Sequence, residues 1–556
     1  MAIGSFCLVL HGHLPWVAHH GRWPHGEDWL FEAAAETWLP LLTVLDTAER
    51  EGLSIQWTLG LMPILLEQLA TPAFRNGFVR YLEDARDQAE KDENDFNAWG
   101  HGELSWLAQR EAGINADMLE QFAAIKEDIA AALVRHADAG RLELLSSNAT
   151  HGFHPLILHD ACARAQIRAG LAASTRHLGR TPKGIWLPEC AYRPDGQWQP
   201  VAVHSDTRDR QGVATLFGDE GVRFFFVEHH LITGATPVTA LDGDRAIGGQ
   251  PDRSDGRAWG SWLEPHRVVE RGVVTPVTVL GRAQDIAEQV WNAEVGFPGD
   301  GRYREFHKRH GMRGLRYWRV TGRAVDLGEK EVYSPDAARE AIRAHADHFA
   351  WMIQDRLSKH HAETGREGIV CAPFDAELFG HWWAEGPEFL LEVARRLQNS
   401  NVALRTVSDA LAHTPADKAA TLPRGTWGEA GDERVWDQDQ TRQYWEMAYR
   451  AEDRFIDLWH RAPWRSDDTI NELLTEAGRQ LLLLQASDWP FVITTDGAPD
   501  YGWRRVYGHY ARFDDLCAGV EDVLAGAEVP VQASASLAYC QAADGVFPEL
   551  QLSWWT

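Results

Sequence analysis

Cysteine is scarce in this chain, and the few cysteines are widely separated. Six occur among 556 residues, and no two of them form a CxxC pair. Disulfide frameworks need abundant, closely spaced cysteines. The sequence therefore predicts buried thiols in a reducing cytoplasm and no disulfide framework. The six positions are Cys7, Cys162, Cys190, Cys371, Cys517 and Cys540.

Positive charge and long apolar runs are also lacking. The chain has 54 lysines and arginines against 81 aspartates and glutamates, a formal net charge of −27. Nucleic acids and anionic membrane surfaces repel such a protein. No run approaches the ~20 apolar residues of a membrane helix, and the first residues lack the basic region and cleavage site of a secretory signal. Small molecules, neutral polymers and proteins remain as partners, and a cytoplasmic location is expected.

Tryptophan, in contrast, is abundant. The chain has 25 tryptophans against 21 phenylalanines and 11 tyrosines, which inverts the usual ranking. A buried indole needs a partner for its N–H group, so it is a costly way to fill a core. Two interpretations stay open: an aromatic-rich core, or flat surfaces on which sugar rings pack.

Short apolar runs recur along the chain, and most contain no polar residue. Such runs are typical of strands buried on both faces of a parallel sheet. Helix-like stretches with apolar residues at three- and four-residue spacing lie between them, for example at 32–51 and 336–357. This alternation predicts an α/β fold, and seven strong strands plus a weaker one at 402–407 favour a barrel over an open sheet. The seven are residues 6–10, 54–59, 142–147, 184–187, 224–227, 275–280 and 368–372.

Two segments interrupt the alternation. Residues 71–140 are charged and poor in β-branched residues, which predicts a helical insertion after the second strand. Residues 415–556 are dominated by helical pattern, which predicts a helical C-terminal domain. The barrel would then comprise residues 1–70 and 141–414. Residues 232–256, rich in Gly, Asp, Thr and Pro, predict a long loop between the fifth and sixth strands.

Two apolar strands run directly into a carboxylate. The fourth ends on Glu189, and the seventh ends on Asp375, which Trp382 and Trp383 follow. The C-terminal strand ends of an α/β barrel form its active-site face. Paired carboxylates there are typical of glycoside chemistry, in which one attacks or stabilises and the other transfers the proton. A lone acid would more simply be a helix cap or an ion-pair partner, but two at strand ends beside tryptophans favour catalysis.

Histidines form a third group of candidates. His11 and His13 end the first strand, and His151 and His154 follow the third. An HxH pair at a strand end also suits zinc or iron in metal-dependent hydrolases, with further ligands from the His-His pair at 229–230. Without a metal, the same imidazoles would hydrogen-bond sugar hydroxyls and hold the carboxylates in place. These residues alone leave both interpretations open.

Five motifs carry a resemblance that extends over essentially the whole chain. The sequence resembles glycoside hydrolase family 57, and within it most of all the 1,4-α-glucan branching enzymes. The resemblance implies an incomplete (β/α)7 TIM-like barrel, a retaining mechanism, an α-1,4-glucan polymer as substrate and no metal or organic cofactor. It places the nucleophile on Glu189 and the acid/base on Asp375. The motifs are HGHLPW, SNATHGFHP, WLPECAYRP, FDAELFGHWW and ASDWPFVI.

The resemblance also implies a set of substrate-binding residues. They comprise an arginine and a glycine that follow the sixth strand, a tryptophan and an aspartate of the C-terminal domain, the strand-end histidines, and tryptophans in glucan-stacking contexts. For each tryptophan, a place in the core or at the rim is the alternative. The set is Arg282, Gly299, Trp427, Asp488, His11, His13, His154, Trp23, Trp291 and Trp436.

The chain departs from this family in the loop between the fifth and sixth strands. Family branching enzymes place a tyrosine there, over the active site. No tyrosine occurs between Tyr192 and Tyr303, and residues 232–256 contain no aromatic residue. Because that loop helps to exclude water, its altered chemistry bears on the balance between transfer and hydrolysis. Trp259, just beyond the loop, is the candidate substitute.

The motifs together predict a 1,4-α-glucan branching enzyme, which cleaves α-1,4 links and forms α-1,6 branches in a glycogen-like glucan. An α-amylase or 4-α-glucanotransferase of the same family would use the same two carboxylates with a different acceptor. A metal-dependent hydrolase or deacetylase would be built on the histidines instead. A non-catalytic glucan-binding protein is disfavoured because binding alone does not require carboxylates at two strand ends.

Overall fold

The structure, a computed structural model, describes residues 2–202, 206–238, 241–246, 260–292, 295–311 and 314–556. Its strands are β1 (Gly4–Gly12), β2 (Trp57–Leu61), β3 (Leu142–Ser147), β4 (Ile185–Trp186), β5 (Gly196–Trp198), β6 (Arg208–Arg210), β7 (Phe224–Val227), β8 (Thr236–Val238), β9 (Leu241–Asp242), β10 (Arg245–Ala246), β11 (His266–Glu270), β12 (Val273–Gly281), β13 (Gly368–Asp375), β14 (Val402–Leu404) and β15 (Lys418–Thr421).

Within these residues, seven parallel strands surround the core. Strands β13, β1, β2, β3 and β4 pair in that order, and an isolated parallel bridge joins Gly184, beside β4, to Phe224 of β7. Strand β7 pairs with β12 in parallel. The circle closes through a hydrogen bond of 2.9 Å from the N–H of Ala283, just after β12, to the carbonyl of Cys371 in β13. This incomplete seven-stranded barrel confirms the predicted fold class.

The barrel strands form where the sequence is uniformly apolar. Every residue of β1 is buried, and β13 is buried up to its last residue, Asp375. This is the pattern of strands covered on both faces. The weaker run at 402–407 yields only the short strand β14, which pairs with the first residues of β1. It therefore adds no eighth strand to the circle.

Helices cover the outside of the barrel and build the C-terminal region. They are α1 (Glu27–Ala33), α2 (Leu39–Glu51), α3 (Pro63–Leu69), α4 (Pro72–Ala98), α5 (Gly102–Ala124), α6 (Ile129–Asp138), α7 (Asp160–Leu178), α8 (Val213–Asp219), α9 (His229–Thr233), α10 (Gln284–Trp291), α11 (Pro335–Thr364), α12 (Gly386–Leu397), α13 (Val407–His413), α14 (Arg442–Arg461), α15 (Asp468–Leu484), α16 (Asp488–Thr494), α17 (Pro499–Leu524) and α18 (Val531–Ala543).

The segment between β2 and β3 is helical, as its composition predicted. Helices α4 and α5 pack against each other as a hairpin. Helix α6 instead packs against β3 and α7, in the position of a barrel crossover helix. The described part of the segment 232–256 differs from the predicted loop, because it contains β8, β9 and β10. Strand β8 pairs with β15, β10 pairs with β12, and β9 pairs with β10; local composition does not reveal these pairings.

The helical C-terminal region is joined to the barrel rim through backbone contacts. An antiparallel bridge connects Gly152 with Ala486, and another connects Tyr192 with Gly425. These contacts hold two C-terminal segments against the loops that follow β3 and β4, where the candidate carboxylate and histidines lie. No helix among the described residues is long and apolar enough to cross a membrane.

Candidate active site

Glu189 lies in a strained turn at the end of β4. Its φ is 59° and that of Cys190 is 46°, a left-handed conformation that costs energy for residues other than glycine. The C-terminal region holds this turn, because the backbone N–H of Trp427 donates to the Glu189 carbonyl at 3.1 Å. Strained backbone that persists in this way is common at functional sites.

Two hydrogen bonds fix the Glu189 carboxylate. The indole N–H of Trp427 donates to Oε2 at 2.9 Å, and the hydroxyl of Ser487 donates to Oε1 at 2.7 Å. Each carboxylate oxygen thus receives one donor, and both donors come from the C-terminal region. Hydrogen bonds to the ionised form favour it, so this arrangement suits a nucleophile that must carry its charge.

His151 extends this hydrogen-bond chain by one residue. Its Nδ1 lies 2.8 Å from Ser487 Oγ, and a serine hydroxyl has only one proton to donate. Because that proton goes to Glu189, we assign the proton of neutral His151 to Nδ1. Burial, with the neighbouring His13 and His11, lowers the pKa of His151 well below its ordinary value, which agrees with a neutral ring.

Asp375 ends β13 and shares the site with Glu189. In the strand register it lies opposite His11 of β1. Burial raises the pKa of Asp375, and Arg282 and His13 oppose that rise. Burial also raises the pKa of Glu189, and the charge of Asp375 adds to it. Among the described residues, no side chain donates a hydrogen bond to Asp375, whereas Glu189 accepts two, so the hydrogen bonding favours charge on Glu189. Burial acts in the opposite direction, since it raises the pKa of Glu189 to about 7 and that of Asp375 to about 6. The assignment of the proton to Asp375 therefore rests on the hydrogen bonds.

The strand-end histidines lie in one stack beside Glu189. The rings of His11 and Trp186 are 4.1 Å apart and nearly parallel, and those of His13 and His151 are 4.0 Å apart. Nε2 of His13 lies 2.9 Å from Oδ1 of Asp488. Burial lowers the pKa of His13, but nearby carboxylates, Asp488 first, outweigh it and raise the pKa.

A metal ion could be held by three of these groups. Ligand atoms of His13, His151 and Asp488 lie within 4.8 Å of one another, which is the geometry that the metal-hydrolase alternative needs. Part of this group is already engaged within the chain, because Nε2 of His13 bonds Asp488 and Nδ1 of His151 bonds Ser487, whereas Nε2 of His151 has no hydrogen-bond partner among the described residues.

A second group lies on the other side of Trp427. The guanidinium of Arg282 lies 5.6 Å from the indole centroid and donates to Glu228 Oε2 at 3.1 Å. A cavity of about 400 Å³ opens here, and Trp291 lines it. With 56% of its surface exposed, Trp291 is available to a ligand. The cavity extends the site away from Glu189.

The structure does not bring every predicted substrate-binding residue to a ligand-facing position. His154 is buried, bonds Asn148 through Nε2 at 3.0 Å and packs on Phe217. Trp436 is 1% exposed and stacks on Phe153 at 4.6 Å. Both side chains lie in the core and present no surface to a glucan in this packing, which departs from the prediction for them. His11, also 1% exposed, is equally buried.

The remaining predicted positions lie at the rim or beyond it. Trp23, in the connection after β1, is 45% exposed. Gly299 lies beside the exposed guanidinium of Arg323, whose Nη2 would be 2.6 Å from an added Cβ; because that flexible side chain can move aside, packing alone does not require glycine there. Trp259, the candidate substitute for the loop tyrosine, lies outside the described residues.

Two residues of the site are absent from the predicted substrate-binding set, although His151 is among the candidate histidines. His151, not His154, lies beside Glu189, although both follow β3 in the same motif. Ser487 directly precedes Asp488, so its position in the ASDWPFVI motif was the available signal. A small hydroxyl residue carries no chemical signature of its own in a sequence, because serine is common in turns.

Comparison with known proteins places the chain in a family. The family model of "Glycosyl hydrolase family 57" matches residues 7–423. The chain belongs to glycoside hydrolase family 57. A second model, "1,4-alpha-glucan branching enzyme, C-terminal", matches residues 447–555. The family resemblance seen in the motifs is therefore confirmed.

Known relatives and solved structures match the chain over most of its length. A 1,4-alpha-glucan branching enzyme of Thermococcus kodakarensis is 37% identical over 514 residues, 92% of this chain and 73% of the relative. The crystal structure of a family 57 branching enzyme from Pyrococcus horikoshii superposes with a TM-score of 0.89 at 33% identity, covering 100% of this chain and 97% of that one. The alpha-amylase AmyC of Thermotoga maritima superposes with a TM-score of 0.81 at 27% identity, covering 100% and 99%.

Proposed function

We propose that this protein is a 1,4-α-glucan branching enzyme that acts by retaining transglycosylation. The observation that carries the proposal is the Glu189 carboxylate held by two donors from the C-terminal region, in a family 57 chain whose residues 447–555 match the branching-enzyme C-terminal model. The substrate is an α-1,4-glucan bound along the face that carries Glu189, Trp427 and Trp291.

In the first step, Glu189 attacks the anomeric carbon of the glucan. The bond between that carbon and the leaving O4 breaks, and Asp375 donates its proton to this oxygen. The hydrogen bonds from Trp427 and Ser487 hold the attacking carboxylate in position. A retaining mechanism needs the carboxyl groups of Glu189 and Asp375 about 5–6 Å apart.

In the second step, the 6-hydroxyl of a glucan chain attacks the glycosyl-enzyme. Asp375 accepts the hydroxyl proton, the bond to Glu189 breaks, and the new link is α-1,6. Two inversions at the anomeric carbon give net retention. Water is the competing acceptor, so the site must be closed to it while the intermediate lasts. Without the loop tyrosine, we expect measurable hydrolysis beside transfer.

An α-amylase is the second candidate function, because AmyC superposes over the whole chain. Incubation with amylose separates the two activities. A branching enzyme leaves the number of reducing ends nearly constant and yields short chains only after debranching, whereas an amylase raises the number of reducing ends at once. Glu189→Gln should abolish both products while leaving glucan binding nearly intact. Reducing ends that rise in step with total cleavage would overturn the proposal.

We place the reaction in the cytoplasm, in the synthesis of a glycogen-like storage glucan. The six cysteines are free and buried, which suits a reducing compartment. Fractionation of cells with an antibody against the protein, together with analysis of glucan branching in a strain that lacks it, tests this placement.

A further inference from the structure

A pair of aromatic rings lies beside the active site, outside the residues assigned above. Trp382 is in the connection that follows β13, and Phe306 lies between α10 and α11; their ring centroids are 4.5 Å apart. We call this pair the Trp382 platform. The connection after β13 leaves the C-terminal end of a barrel strand, so the platform lies on the face that carries Asp375.

The platform is joined directly to the turn that carries the acid/base. The backbone N–H of Trp382 donates to the carbonyl of Glu377 at 3.0 Å, and Glu377 is two residues after Asp375. The Glu377 carboxylate in turn accepts the backbone N–H of His13 at 3.2 Å. Two hydrogen bonds therefore connect the platform, through Glu377, to the turn after Asp375 and to the connection after β1.

A partly buried network of charged side chains supports the platform. His381 Nδ1 lies 2.6 Å from Glu36 Oε2, and Arg316 pairs with the same carboxylate. The Arg316 guanidinium also lies 5.3 Å from the centroid of Phe306. Burial opposes the charge on Glu36, but Arg316 and His381 lower its pKa to about 2. The carboxylate is thus ionised and the network is complete at neutral pH.

Gly380 allows the segment to approach this network. Its φ is +127°, and a Cβ at this position would lie 1.8 Å from the carbonyl oxygen of Glu36. Only glycine permits that contact. The segment that carries Trp382 is therefore fixed before any ligand binds, and such preorganisation reduces the entropy cost of binding.

Despite this support, Trp382 keeps 53% of its surface exposed. A large, rigid, exposed indole beside a polymer-binding site is suited to a ligand with an apolar face. The C–H face of a glucose ring is such a ligand, because its hydrogens meet the negative face of the aromatic ring. We propose that the Trp382 platform binds a glucose ring of the α-1,4-glucan, beyond the residues that flank the bond being cleaved. The identity of the polymer rests on the proposed function.

The test compares Trp382→Ala with a matched exposed tryptophan. Trp351 lies on α11, outside the barrel, and is 58% exposed, so Trp351→Ala is the control. Retardation of the full-length protein in native gels containing amylopectin measures glucan affinity without any catalysis. Initial rates on amylose measure KM and kcat. Two further variants complete the set: Trp382→Phe is the conservative change at the same position, and Phe306→Ala removes the second ring of the platform.

We expect Trp382→Ala to weaken gel retardation and raise KM for amylose about tenfold, which corresponds to about 1.4 kcal/mol, with kcat within about twofold of the wild type. Trp382→Phe should keep most of the affinity, Phe306→Ala should lose part of it, and Trp351→Ala should match the wild type. Equal retardation of Trp382→Ala and Trp351→Ala would overturn the proposal that the Trp382 platform binds glucan. A change in oligomeric state without a change in glucan affinity would overturn it as well.

The gel readout also separates this proposal from the function itself. If the wild-type protein binds amylopectin through Trp382 but forms no α-1,6 links, the proposed branching activity is refuted and the proposed glucan contact at the Trp382 platform still holds.

Discussion

Removal of the Ser487 hydroxyl should shift the pH dependence of the reaction and not merely slow it. In Ser487→Ala, Glu189 Oε1 loses a donor at 2.7 Å, and His151 loses the acceptor of its Nδ1 proton at 2.8 Å. Trp427 still donates to the other carboxylate oxygen. The substitution therefore removes one of the two hydrogen bonds that favour the ionised nucleophile.

The magnitude follows from the strength of such a bond. A hydrogen bond to a charged group contributes about 1.5–3 kcal/mol, and 1.36 kcal/mol corresponds to one pKa unit. Burial already raises the pKa of Glu189 to about 7, and the Ser487 hydrogen bond opposes that rise. Without it the pKa rises further, so the pH at which the nucleophile ionises should move upward by about 1–2 units. Activity should be lost mainly on the acid side and recover as the pH rises.

The assay is the pH profile of kcat/KM on amylose, whose acid limb reports the ionisation of the free enzyme. Ser536→Ala is the matched control, because Ser536 is a buried serine of the same region that donates to Asp515 at 2.6 Å, away from the site. Thermal unfolding of both variants measures the loss of a buried hydrogen bond. An acid limb at the wild-type pH, with a uniform loss of rate, would show that Ser487 has only a structural role and would refute the reasoning.

Three further perturbations test other parts of the site. Chelator treatment should leave the rate unchanged, because His13 already bonds Asp488 and the proposed chemistry uses only Glu189 and Asp375; a loss that zinc restores would promote the metal-hydrolase alternative. Trp427→Ala should weaken glucan affinity by about 1–3 kcal/mol. Trp427→Phe should keep most of that affinity but lower kcat, because the indole N–H is lost, and steady-state kinetics on amylose measure both parameters. Equal KM values for the two variants would show that Trp427 is not part of the binding surface. Trp436→Ala should destabilise the fold by about 3–5 kcal/mol, measured by denaturant unfolding, without changing glucan affinity in the folded protein; a stable variant with weak binding would return Trp436 to the site.

The barrel and its carboxylates were predictable because their signals are local. A strand buried on both faces is an unbroken apolar run, and a carboxylate at its end breaks that run visibly, as Glu189 does after β4 and Asp375 does at the end of β13. Strand ends were less predictable. Strand β4 is only two residues long, and the turn Pro188–Cys190, in which Glu189 is left-handed, follows one residue later. The composition gives no sign of a left-handed glutamate.

The choice between neighbouring side chains was not predictable from the sequence. His151 and His154 occur in one motif, yet His151 adopts φ 59° and stacks on His13, whereas His154 begins the three-residue turn His154–Leu156 and lies in the core beside Phe217. Trp427 and Trp436 also lie in one short segment of the sequence, and only packing distinguishes the indole that bonds Glu189 from the one that fills the space beside Phe153. Spacing shows that two residues can reach a site, but the backbone between them decides which one does.

The same reasoning explains why the C-terminal region is more than an additional binding surface. The Glu189 carbonyl accepts the N–H of Trp427, and both carboxylate oxygens accept donors from Trp427 and Ser487. The position of Ser487 is itself set by its backbone bond to the His151 carbonyl, 3.1 Å. The barrel alone would leave a buried carboxylate without these hydrogen bonds, and desolvation would then favour its neutral form. A nucleophile at the end of β4 is therefore competent only when the C-terminal region is docked, which ties the ionisation of Glu189 to the contact between the two parts of the chain.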